Sequence, residues 1–170
     1  MASMEPRSGN LSQPVDATHL RSALACFATG VTIVTTGSVA GSPAGVTATS
    51  FNAVSLEPPL VLWSIGRHSS TYAAFTAASH WAVHVLTAAQ QPLAKRFAQH
   101  GIDRFAGVAI EPGLHGLPLL TGSAARFECR AVSGHVAGDH SILIGEVMRV
   151  TRMAATPLVF HASRFAALRS

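Results

Sequence analysis

Between Arg21 and Glu57 the chain carries no charged side chain. A charge-free stretch of that length has to be buried, paired into strands or set in a membrane. A membrane-spanning helix needs about 20 consecutive apolar residues. This stretch is broken by Gly30, Gly37, Gly41, Pro43 and Gly45 and is rich in Thr and Ser. It therefore reads as strands and turns, and it sets the expectation for the whole chain: a β-rich fold.

Composition sharpens this. The chain has 170 residues, of which 48% are hydrophobic and 12% charged. That length favours one domain, and so apolar a sequence can offset its ordering entropy, which excludes disorder for most of it. Soluble domains average about 25% charged residues. The deficit predicts that part of the surface is covered in an oligomer, most simply a homodimer. Residues 1–15 are rich in Ser and Pro and read as a flexible tail; residues 16–170 read as a single domain. The N-terminus lacks the apolar run of a secretory signal, so a cytoplasmic location is expected. Cys26 and Cys129 form no CxxC pair, and their apolar neighbours predict buried free thiols. The formal charge is +4, but the basic residues are scattered. A nucleic-acid surface would show a basic stripe with interleaved aromatics; dispersed Arg suits a small anion such as a phosphate.

Local patterns divide the chain. Asp16 can cap a helix running to about Ala28, with Leu20, Leu24 and Phe27 on one face, ended by Gly30. Residues 31–36 are largely β-branched and predict a strand, followed by a turn at 37–41 and an antiparallel strand over 44–51. Residues 60–65 read as a buried strand, 69–78 as a short helix and 81–86 as a strand. Thr87 and Gln90 form a capping box for a helix to about His100. Residues 105–118 are loop-like with a short strand at 108–111. Long strands over 123–136 and 141–153 are joined by Ala137-Gly138-Asp139-His140, a hairpin signal, and 157–162 closes as a last strand. Strands in hairpin succession predict a Greek-key or up-and-down barrel rather than a doubly wound sheet.

The chemistry has few obvious carriers. The chain has eight carboxylates, none in an acid/base pair, and lacks the Walker A, GxGxxG, GxSxG and HExxH motifs. His80 and His84 sit four apart, yet zinc would need a further ligand, so no metal site is expected; His161 reads as structural or as a pocket wall. Two stretches are informative. Residues 45–56 alternate small polar and apolar side chains, leaving backbone N–H and C=O groups open to a flat heteroaromatic ligand, although a polar edge strand would look the same. In residues 63–72 a buried strand ends in Gly66-Arg67, and Ser69, Ser70 and Thr71 follow at a helix start. Arg67 offers a fork of donors suited to phosphate, while the hydroxyls could simply cap the helix.

These stretches, taken in order, resemble a known family. The matching pieces are FATGVTIVT (27–35), GVTATSFNAVSLEPPLVL (45–62), GRHSST (66–71), residues 91–97, DRF (103–105), GLPLL (116–120), GDHSILIGEV (138–147) and PLVFH (157–161). The chain resembles the flavin reductase-like proteins with an FMN-binding split β-barrel, and more narrowly the short-chain NAD(P)H:flavin oxidoreductases that serve two-component monooxygenases. The resemblance implies that Thr47, Ala48, Thr49 and Ser50 line the isoalloxazine ring, that Ser64, Arg67, Ser69, Ser70 and Thr71 hold the ribityl phosphate, that Phe97 and Arg104 also belong to the cofactor site, and that His140 faces the nicotinamide as the catalytic-side residue. Thr49 stands where the family often has Asn, which alters one contact to the ring edge. The implied cofactor is FMN, or FAD, with NADH or NADPH as hydride donor. The implied recipient is a separate flavin-dependent monooxygenase supplied by diffusion. Two neighbouring readings are an oxidase that retains its flavin and a flavin- or haem-binding protein without turnover. Hydride transfer asks for stacked rings and excluded water rather than a protein acid and base, which suits a carboxylate-poor chain.

Overall fold

The computed structural model describes residues 15–168; the proposed tail over 1–15 therefore falls almost wholly outside the described residues. Helix α1 (Ala17–Leu24) is capped by Asp16, whose side chain accepts from the His19 N–H at 2.9 Å. It is followed by strands β1 (Thr29–Gly30), β2 (Thr32–Thr36), β3 (Ala44–Ala48), β4 (Asn52–Leu56) and β5 (Pro59–Gly66), then helix α2 (Tyr72–Thr76) and β6 (His80–Val85). The capping box at Thr87 opens a 3₁₀ turn (Ala88–Gln90) that runs into α3 (Gln91–Ala98). Strands β7 (Ile110–Pro112), β8 (Pro118–Leu120), β9 (Ala125–Ala137), β10 (His140–Arg152), β11 (Leu158–His161) and β12 (Arg164–Ala167) complete the chain.

Seven strands form one antiparallel sheet in the order β3-β2-β6-β9-β10-β5-β4. Its two edge strands, β3 and β4, are consecutive in sequence and joined only by residues 49–51. Six strand spacings of about 4.8 Å would hold the edges of a flat sheet about 29 Å apart. Four Cα steps of about 3.8 Å reach at most about 15 Å. The sheet must therefore curl until its edges meet. Ser50 fastens the meeting point: its hydroxyl accepts from the Ser64 N–H at 2.9 Å and lies 3.2 Å from the Ser64 carbonyl. Among the described residues no ladder joins β3 to β4, so the roll is split along that seam, as a split β-barrel requires.

Two cores sit on the two faces of the curl. Inside, Trp63, Trp81, Phe75, Val34 and Leu143 pack together, with Trp63 edge-on to Phe75 at 4.8 Å. Gly145 admits the Trp81 ring, with which any side chain at this position would collide. Outside, Ile33, Leu86, Phe97, Leu120 and Leu158 form a second core under α3 and β11. Strand β2 is buried along its whole length because it feeds both; β5 alternates, with Val61, Trp63 and Ile65 inward.

Several expectations are corrected. Helix α1 ends at Leu24, four residues early: the Cys26 and Phe27 N–H groups bond three residues back, and Thr29 leaves to pair with Phe160. Its apolar face is not buried; Leu20, Leu24 and Phe27 are exposed. Cys129 is buried, but Cys26 is exposed, since α1 stands outside both cores. The strand expected over 44–51 breaks after Ala48, where the chain crosses the seam. The helix expected over 69–78 is confined to Tyr72–Thr76. Strands β8 and β12 went unread, the former because proline and glycine flank it, the latter because Ala162 and Ser163 adopt left-handed conformations at φ 49° and 59° without a glycine signal.

Candidate functional site

The seam gathers most of the residues singled out from sequence. Residues 49–51 carry the chain across the roll, and Thr49 and Ser50 are exposed there. Ser50 and Ser64 are bound to one another. Beyond Ser64, β5 ends at Gly66. His140 pairs opposite Gly66 in the ladder, and a Cβ on Gly66 would stand 3.6 Å from the His140 Nε2. The imidazole thus lies directly over Gly66, at ordinary contact distance. Asp139 fixes the turn twice: its carbonyl accepts from the Arg67 N–H at 2.9 Å, and its carboxylate lies 2.7 Å from the His140 Nδ1. The hydrogen bond to His140, aided by the charges of His140 and His68, holds the Asp139 carboxyl below the usual carboxylate range. The hairpin signal read at 137–140 is therefore a two-residue turn, Gly138-Asp139, with Gly138 at φ 63°, the left-handed conformation that favours glycine.

Arg67 is exposed, and among the described residues its guanidinium pairs with no carboxylate. Of the hydroxyls beyond it, that of Ser69 accepts from the Thr71 N–H at 3.3 Å at the start of α2. Thr71 precedes α2 without a side-chain capping bond, and its Oγ1 lies 3.0 Å from the Ser69 Oγ. Ser70 and Thr71 line a cleft of about 180 Å³ with Ala44, Gly45, Asp103 and Arg104.

Other expected residues serve from behind. The Thr47 hydroxyl donates to the Ala94 carbonyl at 2.7 Å, tying β3 to α3; Ala48 is nearly buried. Arg104 lines the cleft, yet its guanidinium donates to the Gly45 carbonyl at 2.7 Å and twice to the Gln99 carbonyl at 2.9 and 2.7 Å. Burial lowers its affinity for the proton. Arg104 is thus chiefly a pin for the start of β3. Phe97 requires correction: its side chain is 0% exposed, packs edge-on to Phe105 and fills the space left by Gly45. A fully enclosed ring offers no surface to a ligand, so Phe97 supports the wall and does not form it.

The histidines outside the seam divide by role. His84 is fully buried; the Leu120 N–H donates to its Nε2 at 3.1 Å, so Nδ1 carries the proton and donates to the Ile33 carbonyl at 3.1 Å. Burial pushes its pKa down to about 4. His80 stacks on His115. No cluster of three metal-ligating side chains occurs among the described residues. Burial pushes the Cys129 thiol up to about 12, which makes it inert as a nucleophile. No helix among the described residues is long and apolar enough to cross a membrane.

A curled, split antiparallel sheet thus carries at its seam an open strap, an exposed Arg and a run of hydroxyls, donors of the kind that suit a phosphate. Comparison with known proteins makes the class specific. Residues 24–169 match the flavin reductase like domain family, and the chain belongs to it. It is 46% identical over 145 residues to the FMN reductase (NADH) SmoA of Agrobacterium fabrum, covering 85% of this chain and 82% of that one. It is 40% identical to the reductase component of the flavin-dependent trigonelline monooxygenase of Acinetobacter baylyi, with 86% of this chain aligned but only 47% of that longer protein spanned. The Streptomyces globisporus NADH:FAD oxidoreductase SgcE6, solved in complex with NAD and FAD fragments, superposes with a TM-score of 0.86 at 39% identity, covering 95% of this chain and 98% of that one.

Proposed function

We propose that this chain is an NADH-dependent flavin reductase that passes hydride from the nicotinamide to FMN or FAD and supplies the reduced flavin to a separate flavin-dependent monooxygenase. The observation that carries the reading is the convergence at one seam of the strap at residues 49–51, Ser64, the Arg67–Thr71 segment and His140. Bound flavin supplies the two-electron acceptor. The chain's own residues then have four tasks. Backbone groups of Thr47, Ala48, Thr49 and Ser50 face the ring system. Arg67, with the hydroxyls of Ser69, Ser70 and Thr71, takes the phosphate through charge-assisted hydrogen bonds. Arg104 and Phe97 hold the β3 wall in position. His140, carried by the hairpin and oriented by Asp139, meets the nicotinamide. None of these tasks requires a side chain to gain or lose a proton, in keeping with the absence of paired carboxylates at the seam among the described residues.

A homodimer is part of this reading. Edge strand β4 presents Val54 and Leu56 outward, the latter 92% exposed, and β9 and β10 present Val132, Val136, Met148 and Val150. Val54 and Leu56 lie on β4, at the seam itself, and the others lie further round the sheet on β9 and β10, so a second copy seated across β4 would cover the first two and help enclose the ligand. Sedimentation at micromolar protein is expected to give twice the chain mass of 17.7 kDa; an active monomer would remove the dimer from the reading. The reaction belongs in the cytoplasm, where NADH is maintained. The deciding experiment mixes the protein with NADH and excess free flavin under air and follows absorbance at about 340 nm, the nicotinamide band. Many turnovers per protein are expected. Oxidation of NADH only in proportion to protein, or none at all, refutes the reductase.

A further inference from the structure

The phosphate cleft does not end at Thr71. The chain entering β3 runs beside α2, and a second cleft of about 300 Å³ opens further along, sharing Ala44 with the first and bordered by Ser42, Ala74 and Ala77. Thr71 and Ala77 lie about 9 Å apart along a helix axis. The small side chains of Ala74 and Ala77 leave the groove open between its two ends.

The far end is closed by His80 and His115. Their rings stack with centroids 4.0 Å apart and planes 26° off parallel. His115 has φ 55° and ψ 23°, a left-handed conformation uncommon for a residue with a side chain. The loop holding it there is fixed from beneath. The Leu114 N–H donates to the Glu128 carboxylate at 2.6 Å, and Arg149 grips the same carboxylate with two bonds of 2.6 and 2.7 Å. His80 is oriented by the Ser79 hydroxyl, 3.0 Å from its Nδ1. Burial, with the nearby charges of His115 and Arg130, lowers the His80 imidazole's affinity for a proton. One face of the His115 ring rests on His80 while the residue stays exposed to the cleft. The result is a preformed π surface at the end of a groove that begins in a phosphate-binding cleft. Every nucleobase has a π face that such a surface accepts.

We propose that the His80–His115 pair is a subsite for the adenosine end of a dinucleotide, FAD or NADH, whose phosphates lie toward Ser70 and Thr71. The proposal rests on the reductase reading. It separates ligands that carry adenosine from those that lack it: FAD from FMN, and NAD⁺ from nicotinamide mononucleotide.

The test measures dissociation constants of these four ligands by calorimetry for the parent and three variants. His115→Gly removes the ring and relieves the left-handed backbone. His115→Trp restores a π face. Ala77→Trp fills the groove and leaves His115 intact. Loss of one stacking platform is expected to weaken the adenosine-bearing ligand about ten-fold in His115→Gly and in Ala77→Trp, with FMN and the mononucleotide unchanged and affinity recovered in His115→Trp. The pair that separates identifies whether FAD or NADH places its adenosine there. If FAD and FMN weaken together, or all four ligands bind the variants as they bind the parent, the subsite is refuted. A parent that binds none of the four refutes the reductase reading itself.

Discussion

His84 allows a stability effect to be worked out before it is measured. In the folded protein its pKa is pushed down to about 4 by burial, from an ordinary 6.5. The unfolded chain therefore binds a proton that the folded one refuses. A depressed folded pKa gives stability that is fully present above pH 6.5 and is lost as the pH falls toward 4. Between pH 7.5 and pH 5.0 the loss integrates to about 2 kcal/mol, and it approaches about 3 kcal/mol below pH 4, at about 1.4 kcal/mol per unit of pKa difference. The window above pH 5 keeps most carboxylate titration out of the balance: Glu128 and Asp139 are held low in the folded protein, so their contribution is lost only below the ordinary carboxylate values near about 4. His80 shifts in the same direction, so the comparison needs a variant in which only His84 changes. His84→Gln keeps one of the two bonds to Ile33 and Leu120 and no longer titrates. It is expected to be less stable than the parent at pH 7.5 by about 1–3 kcal/mol, the cost of one buried group left unsatisfied. Its stability should fall by about 2 kcal/mol less than the parent's on going to pH 5.0. Urea unfolding followed by tryptophan fluorescence reads this directly, because Trp63 and Trp81 are both fully buried. Equal pH slopes in the two proteins would refute the assignment of His84 as a neutral, doubly bonded core residue.

Arg67→Ala is expected to weaken FMN by about 1.5–3 kcal/mol, the scale of a charged hydrogen bond, while riboflavin, which lacks the phosphate, changes little in a fluorescence titration; equal losses would make Arg67 a structural residue. His140→Ala should lower kcat/KM for NADH by roughly 5- to 150-fold with flavin affinity nearly intact, read by varying the two substrates separately beside thermal melting of both proteins; a loss confined to flavin would remove His140 from the nicotinamide side. Gly145→Ala should destabilise the fold by about 1–3 kcal/mol, because its methyl group meets the Trp81 ring in the inner core; an unchanged urea midpoint would contradict that packing.

The chain shows plainly where its sequence speaks and where it does not. The capping signals at Asp16 and Thr87 are local chemistry, and both bonds form as read. The hairpin at Gly138-Asp139 is equally legible, because a turn of that kind needs a residue tolerant of positive φ. What local pattern misses is decided at a distance. The burial of β2 on both faces depends on α3 and β11 arriving from elsewhere in the chain. The break at residue 49 depends on where β4 must go, not on any breaker in Thr49-Ser50-Phe51. Phe97 sits in a stretch that resembles the cofactor site, but only the packing of Gly45 against its ring shows it to be enclosed. Gly113 and Gly116 mark the segment around His115 as a turn, but they do not show that the left-handed φ would fall on His115 itself, beside a Leu114 N–H held by the distant Glu128.

The strap at residues 49–51 has a consequence for how this fold can vary. Polar surface turns are ordinarily where a chain accepts insertions at little cost. Here the number of links sets the curvature. While both outer ladders hold, substituting side chains cannot flatten the sheet, because the span is limited by covalent reach. Lengthening the strap by several residues would release that limit and let the two edges drift apart, widening the opening on which Thr49, Ser50 and Ser64 stand. The size of the ligand mouth is therefore governed by chain length at one turn more than by the chemistry of the residues in it.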